Sequence, residues 1–160
     1  MFNLFKKKKD LSIYAPVNGE VVPLNNVPDP VFSEGLMGEG IAMKPTDGHF
    51  KSPIDGEVIL IAQTKHALGL KAKDGTELLI HIGLDTVELN GQGFEPHVQV
   101  GDHISLGQPL IDVDLAYIQS QSKPIYTPII ITNDPNHKKM MNLTEEKTAT
   151  VTNTVLITLN

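Results

Sequence analysis

The chain has 160 residues, 40% of them apolar, with no cysteine and no arginine, and its formal net charge is −6. This length and apolar content suit one soluble domain with its own core. Without cysteine, the chain has no disulfide, no thiolate metal site and no cysteine nucleophile. Without arginine, it has no bidentate guanidinium for phosphate or carboxylate, so any such group must come from another molecule.

Charge is divided unevenly along the chain. Residues 1–10 carry four lysines and one aspartate, a net charge of +3, whereas residues 11–160 carry nine lysines and 18 acids, a net charge of −9. An acidic body of this kind binds nucleic acid poorly, because that affinity depends on neutralising phosphates. We interpret residues 1–10 as a flexible basic leader and residues 11–160 as one domain. The leader, MFNLFKKKK, is either a weak contact for anionic lipid or a solvated segment.

The sequence lacks the patterns of secreted and membrane-spanning proteins. No apolar run approaches the roughly 20 residues of a membrane helix. The short apolar start precedes its lysines, which is the reverse of the order in a signal peptide. We therefore expect a cytoplasmic protein.

Short β-rich runs alternate with turns from residue 11 onward. Asn-Gly or Asp-Gly dipeptides recur at positions 18, 47, 55 and 74, and prolines punctuate much of the rest. Only residues 109–121 favour a helical turn or two. The segments APVNGEVV (15–22) and SPIDGEVI (52–59) share one pattern, which indicates a duplicated β unit. The prediction is an all-β domain, a sandwich or barrel of duplicated hairpins with at most short helical turns.

One histidine stands in the middle of an apolar strand, in ELLIHIGLDTVELNG (77–91). A buried imidazole costs free energy unless it is hydrogen-bonded, so the simplest interpretation of His81 is a satisfied core residue. The Asp-Gly pair at 74–75, however, predicts a two-residue hairpin turn that places His81 opposite Leu68. In that register His66 is a diagonal neighbour on the same face, with Cα atoms about 7–8 Å away. The two imidazoles are then able to meet.

Several kinds of chemistry are open to such a pair. Two imidazoles do not complete a tetrahedral metal site, and no H-x-H, H-E-x-x-H or cysteine pair supplies the remaining ligands. The chain also lacks G-x-S-x-G for serine hydrolysis and G-x-x-x-x-G-K-[ST] for nucleotide phosphates. The remaining option is a histidine nucleophile that takes a phosphoryl group while the second histidine donates hydrogen bonds to its oxygens.

Three segments, residues 27–48, 64–94 and 100–115, closely resemble the glucose-type enzyme IIA of the bacterial phosphoenolpyruvate-dependent sugar phosphotransferase system. The resemblance runs from about residue 13 to the C-terminus, and its most specific block is H-x-G-[ILV]-D-T-V-x-L-x-G-x-G-F. It implies a β-sandwich of duplicated hairpins in residues 11–160. It also implies a phosphotransferase component that accepts a phosphoryl group from phospho-HPr and passes it to a sugar-specific enzyme IIB domain, with no cofactor required. Because no IIB or IIC segment accompanies it, we expect a free-standing IIA protein.

The resemblance implies roles for individual residues. His81 matches the phosphorylated histidine, and His66 matches the second active-site histidine. Thr64 matches a threonine whose hydroxyl joins their hydrogen-bond network. Gly83 matches the glycine whose carbonyl accepts from Nδ1–H of the phosphorylated ring, a bond that leaves the Nε2 lone pair free.

A docking surface for the two partners is also implied. Its apolar members match Val31, Phe32, Leu36, Met37, Ile80, Ile82 and Val87. The two isoleucines fit the core equally well, whereas the phenylalanine and Met37 lie in a loop rich in Gly, Pro and acids, which favours exposure. Asp29 and Asp85 match acids that meet basic side chains of the donor, which suits a chain without arginine.

Other functions stay open at this point. Phosphorylation could be a signal to regulatory targets, and sugar uptake in a strain lacking the chain would separate that role from transport. A zinc peptidase on a similar hairpin fold would hold stoichiometric zinc, although its third ligand is missing here. A zinc ion shared by His66, His81 and a partner's carboxylate is a further alternative; within the chain itself we expect no metal site. The remaining histidines are predicted to be solvated: His49, His97, His103 and His137.

Overall fold

A computed structural model describes residues 10–135 and 140–160. Residues 1–9 of the predicted leader therefore lie outside the described residues, and so does His137. The strands are β1 (Leu11–Tyr14), β2 (Gly19–Pro23), β3 (Glu39–Pro45), β4 (His49–Lys51), β5 (Gly56–Ile61), β6 (Ala67–Ala72), β7 (Glu77–His81), β8 (Phe94–Pro96), β9 (His103–Ile104), β10 (Pro109–Val113), β11 (Thr127–Asn133), β12 (Met141–Leu143), β13 (Thr148–Ala149) and β14 (Val155–Leu159). The helices are α1 (Pro30–Ser33) and α2 (Leu115–Ser120), with 3-10 turns at Leu24–Asn26 and Thr86–Leu89.

The strands form three sheets, and the strand pairs are antiparallel. An eight-stranded sheet has the order β13-β2-β3-β11-β7-β6-β5-β9, and two three-stranded sheets have the orders β1-β14-β12 and β4-β10-β8. The predicted all-β class is confirmed, and the helical turn predicted within residues 109–121 is α2, directly after β10. In the described ranges, no helix is long and apolar enough to cross a membrane.

The duplication predicted from the two sequence segments has a counterpart in the hydrogen bonds. The Tyr14 N–H donates to the Pro53 carbonyl (3.1 Å), and the Lys51 N–H donates to the Pro16 carbonyl (2.8 Å). When the repeats are aligned, Tyr14 corresponds to Lys51 and Pro16 to Pro53, so each bond is the copy of the other. The two units therefore pair reciprocally, as expected for duplicated elements related by a pseudo-two-fold axis.

The eight-stranded sheet carries apolar side chains on both faces, because successive apolar residues of a strand point to opposite faces. On β7, Leu78 and Ile80 point into the main core, while Leu79 belongs to a second, smaller apolar cluster. This outer cluster consists of Val27, Phe32, Ala42, Ala67, Leu79, Leu84 and Ile130. His81 follows the same alternation as Leu79 and so lies on the outer face, beside the small cluster rather than in the main core.

The β6–β7 hairpin differs from its prediction by one residue. Its loop has three residues, since the Ala72 N–H donates to the Thr76 carbonyl (2.8 Å) and the Gly75 N–H donates to the Ala72 carbonyl (3.0 Å). Gly75 takes a φ of +95°, as expected for a three-residue loop that ends in a left-handed residue. His81 consequently pairs with Ala67, so the predicted pairing with Leu68 is wrong.

Candidate active site

Two histidines and a phenylalanine meet at the end of β7. The His66 and His81 ring centroids are 4.9 Å apart with an interplanar angle of 80°, an edge-to-face contact. On its other side, the His81 ring lies 4.8 Å from the Phe32 ring, tilted by 56°. Aromatic pairs favour edge-to-face and tilted geometries at these separations. The His81 imidazole is therefore enclosed by two rings but remains half-buried rather than fully covered.

The pair forms by a different route from the predicted one. In the observed register the Ile82 N–H donates to the His66 carbonyl (2.7 Å), so a strand continued through His66 would turn its side chain toward the core. But β6 begins only at Ala67, and Lys65 just before it takes a left-handed φ of +64°. His66 thus lies in a turn and escapes the strand alternation, which brings its ring to the outer face beside His81.

One hydrogen bond determines the protonation of the His81 ring. Its Nδ1 lies 2.9 Å from the carbonyl oxygen of Gly83. A carbonyl oxygen can only accept, so Nδ1 must carry the hydrogen. In the neutral ring, Nε2 then holds the lone pair. The ring thus presents an unprotonated Nε2, which is the form that a histidine nucleophile requires.

The second histidine is held by its own neighbour. Thr64 Oγ1 lies 2.8 Å from Nδ1 of His66, within the same turn. A hydroxyl can donate or accept, so this contact orients the His66 ring and is compatible with either neutral tautomer. His66 is 9% exposed, and its Nδ1 is occupied, which leaves Nε2 as the atom able to act on a ligand.

Both rings are neutral at pH 7. Burial lowers the pKa of His66 below its ordinary value of 6.5. The pKa of His81 is lowered to about 4, first by burial and then by the nearby His66, although the hydrogen bond to Gly83 and the charge of Asp29 act in the opposite direction. A neutral imidazole keeps the lone pair that a nucleophile needs.

The structure separates the predicted docking residues into two groups. Val31, Leu36, Met37 and Val87 are exposed at 42%, 72%, 43% and 50%. Ile80 and Ile82 are at most 1% exposed and belong to the main core, because they point away from the face that carries His81. The prediction that Phe32 is exposed is wrong, since helix α1 turns its ring inward to 4% exposure against His81. Its part in docking stays a prediction.

The two predicted acidic residues differ in exposure and in local role. The Asp29 carboxylate accepts from the Val31 N–H (3.0 Å) and so caps α1, and it is half-buried near His81. Asp85 is exposed and takes a left-handed φ of +57° just before the 3-10 turn that carries Val87. The exposed surface thus combines four apolar side chains with two carboxylates, which suits a partner with basic and apolar groups.

A second cluster consists of Asp112 and two histidines that were not among the predicted site residues. Asp112 accepts from both His49 Nδ1 (3.1 Å) and His97 Nε2 (2.9 Å), which lowers the pKa of its carboxyl. The two histidines are exposed as predicted but share a partner, which the sequence did not reveal because β4 and β10 pair across about 60 residues. Across residues 10–135 and 140–160, no group of three or more His, Cys, Asp or Glu side chains is placed to hold a metal ion.

The turn after His81 is shaped by Thr86 and Pro124, two residues that were not predicted to belong to the site. Gly83 takes a φ of +81°, and a Cβ at that position would overlap the methyl carbon of Thr86. The Pro124 carbonyl approaches from the other side and accepts from the Leu84 N–H (3.0 Å). The signal available in the sequence was Gly83 with Asp85 two residues later, since both residue types are common in tight turns.

The two histidines lie outside two large clefts formed by the described residues. Two large clefts of the protein have volumes of about 680 and 620 Å³, and neither is lined by His66 or His81. The first surrounds Asp112, and the second lies beside β12. Small-molecule sites are usually concave and enclosed, so the position of the two histidines outside both clefts favours a macromolecular partner.

Comparisons with known proteins agree with this geometry. Residues 11–137 match the family model of the phosphoenolpyruvate-dependent sugar phosphotransferase system, EIIA 1. The PTS system glucose-specific EIIA component of Oceanobacillus iheyensis is 45% identical over 162 residues, covering 99% of this chain and 98% of the relative. That of Staphylococcus epidermidis is 55% identical over 125 residues, covering 78% of this chain and 75% of the relative.

A solved structure supports the same assignment. The glucose permease IIA from Mycoplasma capricolum has a TM-score of 0.87 and 35% sequence identity, covering 96% of this chain and 97% of that one. The resemblance inferred from the motifs is confirmed. The chain belongs to the EIIA 1 family of the phosphoenolpyruvate-dependent sugar phosphotransferase system, a phosphocarrier family of sugar uptake.

Proposed function

We propose that His81 Nε2 accepts a phosphoryl group from the phosphohistidine of HPr and passes it to a cysteine of a sugar-specific enzyme IIB domain. The observation that carries this proposal is the 2.9 Å hydrogen bond between His81 Nδ1 and the Gly83 carbonyl. In the first step the N–P bond in HPr breaks as the His81 Nε2–P bond forms. In the second, that bond breaks as the cysteine sulfur takes the phosphorus. The Gly83 carbonyl stabilises the positive charge that develops on the His81 ring.

His66 acts on the phosphoryl oxygens. For this role the Thr64 hydroxyl, 2.8 Å from His66 Nδ1, must donate to that nitrogen, so that His66 carries its hydrogen on Nε2. The edge-to-face contact of the two rings, with centroids 4.9 Å apart, supports this role for His66. Catalysis is then mostly positioning and charge stabilisation, as expected for a loose phosphoryl-transfer transition state. No bound cofactor is required, because the phosphoryl group arrives already activated on HPr.

Both partners dock on the same surface. Its apolar part consists of Val31, Leu36, Met37 and Val87, which are exposed around the histidines. Asp29 and Asp85 receive basic side chains of the partner, since this chain contains no arginine of its own. Complementary charge of this kind mainly accelerates the encounter and selects the partner.

The acceptor belongs to a glucose permease, by analogy with the glucose-specific relatives. The transfer domain spans residues 11–160 and works in the cytoplasm, where HPr is phosphorylated. Residues 1–10, with four lysines, serve at most as a weak contact with anionic membrane.

Labelling with phosphoenolpyruvate, enzyme I and HPr tests the two histidine roles. Wild-type protein takes up label that is acid-labile and base-stable, as a phosphoramidate must be, and His81→Ala takes up none. His66→Gln is still labelled but passes the group to a glucose IIB domain about 10²–10³-fold more slowly, because one charge-stabilising donor is lost. If His81→Ala keeps the label and His66→Gln loses it, the nucleophile is assigned to the wrong ring. Membranes with other permeases serve as the control for sugar specificity.

A further inference from the structure

We propose that Thr86 is a positioning residue that holds the Gly83 carbonyl in place to accept from His81. It acts on the nucleophile through the backbone and touches neither the phosphoryl group nor a partner. The catalytic consequence rests on the function proposed above, whereas the effect on the His81 ring can be observed without any transfer.

The Thr86 side chain holds the turn from two directions. It is fully buried, and its Oγ1 donates to the Ile82 carbonyl at 2.6 Å. Its methyl carbon fills the space where a Cβ on Gly83 would lie. One side chain therefore fixes the carbonyl that precedes Gly83 and packs against the Gly83 Cα.

The Gly83 carbonyl lies beyond the end of β7 and forms no hydrogen bond of the sheet. β7 ends at His81, and Gly83 takes a left-handed φ of +81° outside the strand. The N–H of the same peptide group, that of Leu84, donates to the Pro124 carbonyl. With that bond on one side and Thr86 on the other, the turn is fixed at both ends, and the Gly83 carbonyl is directed at Nδ1 of His81.

A helix-capping role does not account for the Thr86 hydroxyl. Thr86 is the first residue of the 3-10 turn Thr86–Leu89, and the capping position is Asp85, whose side chain makes no cap hydrogen bond. An N-cap side chain accepts from backbone N–H groups ahead of it. The hydroxyl of Thr86 instead donates back to Ile82. Its contact serves the turn after His81 and not the helix.

The chemical consequence concerns the tautomer of His81. The Gly83 carbonyl selects the ring form that carries hydrogen on Nδ1 and a lone pair on Nε2. If the turn relaxes, that acceptor moves away, and the form with hydrogen on Nε2 becomes populated. That form cannot attack phosphorus with Nε2. Thr86 therefore controls the fraction of the ring that is competent to react.

Two substitutions and one matched control test the proposal. Thr86→Val removes the hydroxyl and keeps the volume, whereas Thr86→Ser keeps the hydroxyl and removes the methyl group. The control is Ser52→Ala, because Ser52 is equally buried and its hydroxyl also donates to a backbone carbonyl at 2.6 Å, that of Ile54. The measurements are the ¹⁵N chemical shifts of the His81 ring in unphosphorylated protein, thermal unfolding, and single-turnover labelling by phospho-HPr.

Thr86→Val should shift the ¹⁵N pattern of His81 away from the Nδ1–H form and lower the first-order labelling rate by about 2- to 10-fold, the equivalent of one hydrogen bond. Its half-saturating HPr concentration should stay the same. Thr86→Ser should keep the wild-type ¹⁵N pattern. Ser52→Ala should lose thermal stability to a similar extent, with an unchanged ¹⁵N pattern and labelling rate.

An unchanged His81 tautomer in Thr86→Val overturns the proposal, whatever the labelling rate. If Thr86→Val does not fold, the test passes to Thr86→Ala, which removes both the hydroxyl and the methyl contact, and an unchanged His81 tautomer in that variant overturns the proposal. If the proposed function is wrong, wild-type protein takes no label from phospho-HPr. The ¹⁵N shifts of the His81 ring still show in that case whether Thr86 controls the tautomer.

Discussion

Lowering the pH should destabilise the fold through His81. The pKa of this histidine is about 4 in the folded protein, mainly because of burial, against an ordinary value of 6.5 in an unfolded chain. At about 1.4 kcal/mol per pH unit, this gap corresponds to about 3 kcal/mol of unfolding free energy. Total stabilities of single domains are about 5–15 kcal/mol, so the loss is large enough to measure.

The direction of the effect follows from proton binding. Between pH 6.5 and 4 the unfolded chain binds a proton at His81 that the folded chain excludes, so protonation favours unfolding. The contribution of neutral His81 is fully present above pH 6.5, is lost as the pH falls toward 4, and changes no further below that. His66, whose pKa is also lowered by burial, adds a loss of the same sign.

A comparison with His81→Gln isolates the contribution of this residue. Urea unfolding is followed by circular dichroism, since the chain has no tryptophan, at pH steps from 7.5 to 4.5. Over this range the wild type should lose about 2–3 kcal/mol more unfolding free energy than His81→Gln. A titration of the His81 ring by NMR should have its midpoint near pH 4. Parallel stability curves for the two proteins, together with a midpoint near 6.5, would refute the burial argument.

Two further predictions concern the surface and the leader. Phe32→Ala should lower the unfolding free energy by about 3 kcal/mol because its ring is buried against His81. Met37→Ser should change stability by less than about 0.5 kcal/mol and instead raise the HPr concentration needed for half-maximal labelling. Equal melting of the two variants would contradict the burial of Phe32 against His81. Deleting residues 1–10 should leave soluble HPr-dependent labelling intact and at most weaken transfer at anionic membranes; loss of soluble labelling would show that the leader belongs to the site.

Local sequence patterns predicted the class of fold and the two histidines that meet in the structure. Repeated Asn-Gly and Asp-Gly turns between β-rich runs predict hairpins, because turn formation depends on neighbouring residues alone. The two similar segments at 15–22 and 52–59 predicted the duplication that the reciprocal hydrogen bonds display. Because the chain has no cysteine and no arginine, its sequence excludes thiolate and guanidinium sites and directs attention to the pair of histidines.

Tertiary structure alone decided which face each side chain occupies. A hairpin loop of three residues instead of two moves the register by one position, and in a strand this exchanges the faces. His66 still meets His81 because the left-handed Lys65 takes it out of the strand. Phe32 is covered only when α1 folds onto the outer cluster. Asp112 accepts from His49 on the distant strand β4 and from His97, which lies just after the paired strand β8. Each of these outcomes depends on pairings between segments far apart in the chain, and local patterns carry no information about such pairings.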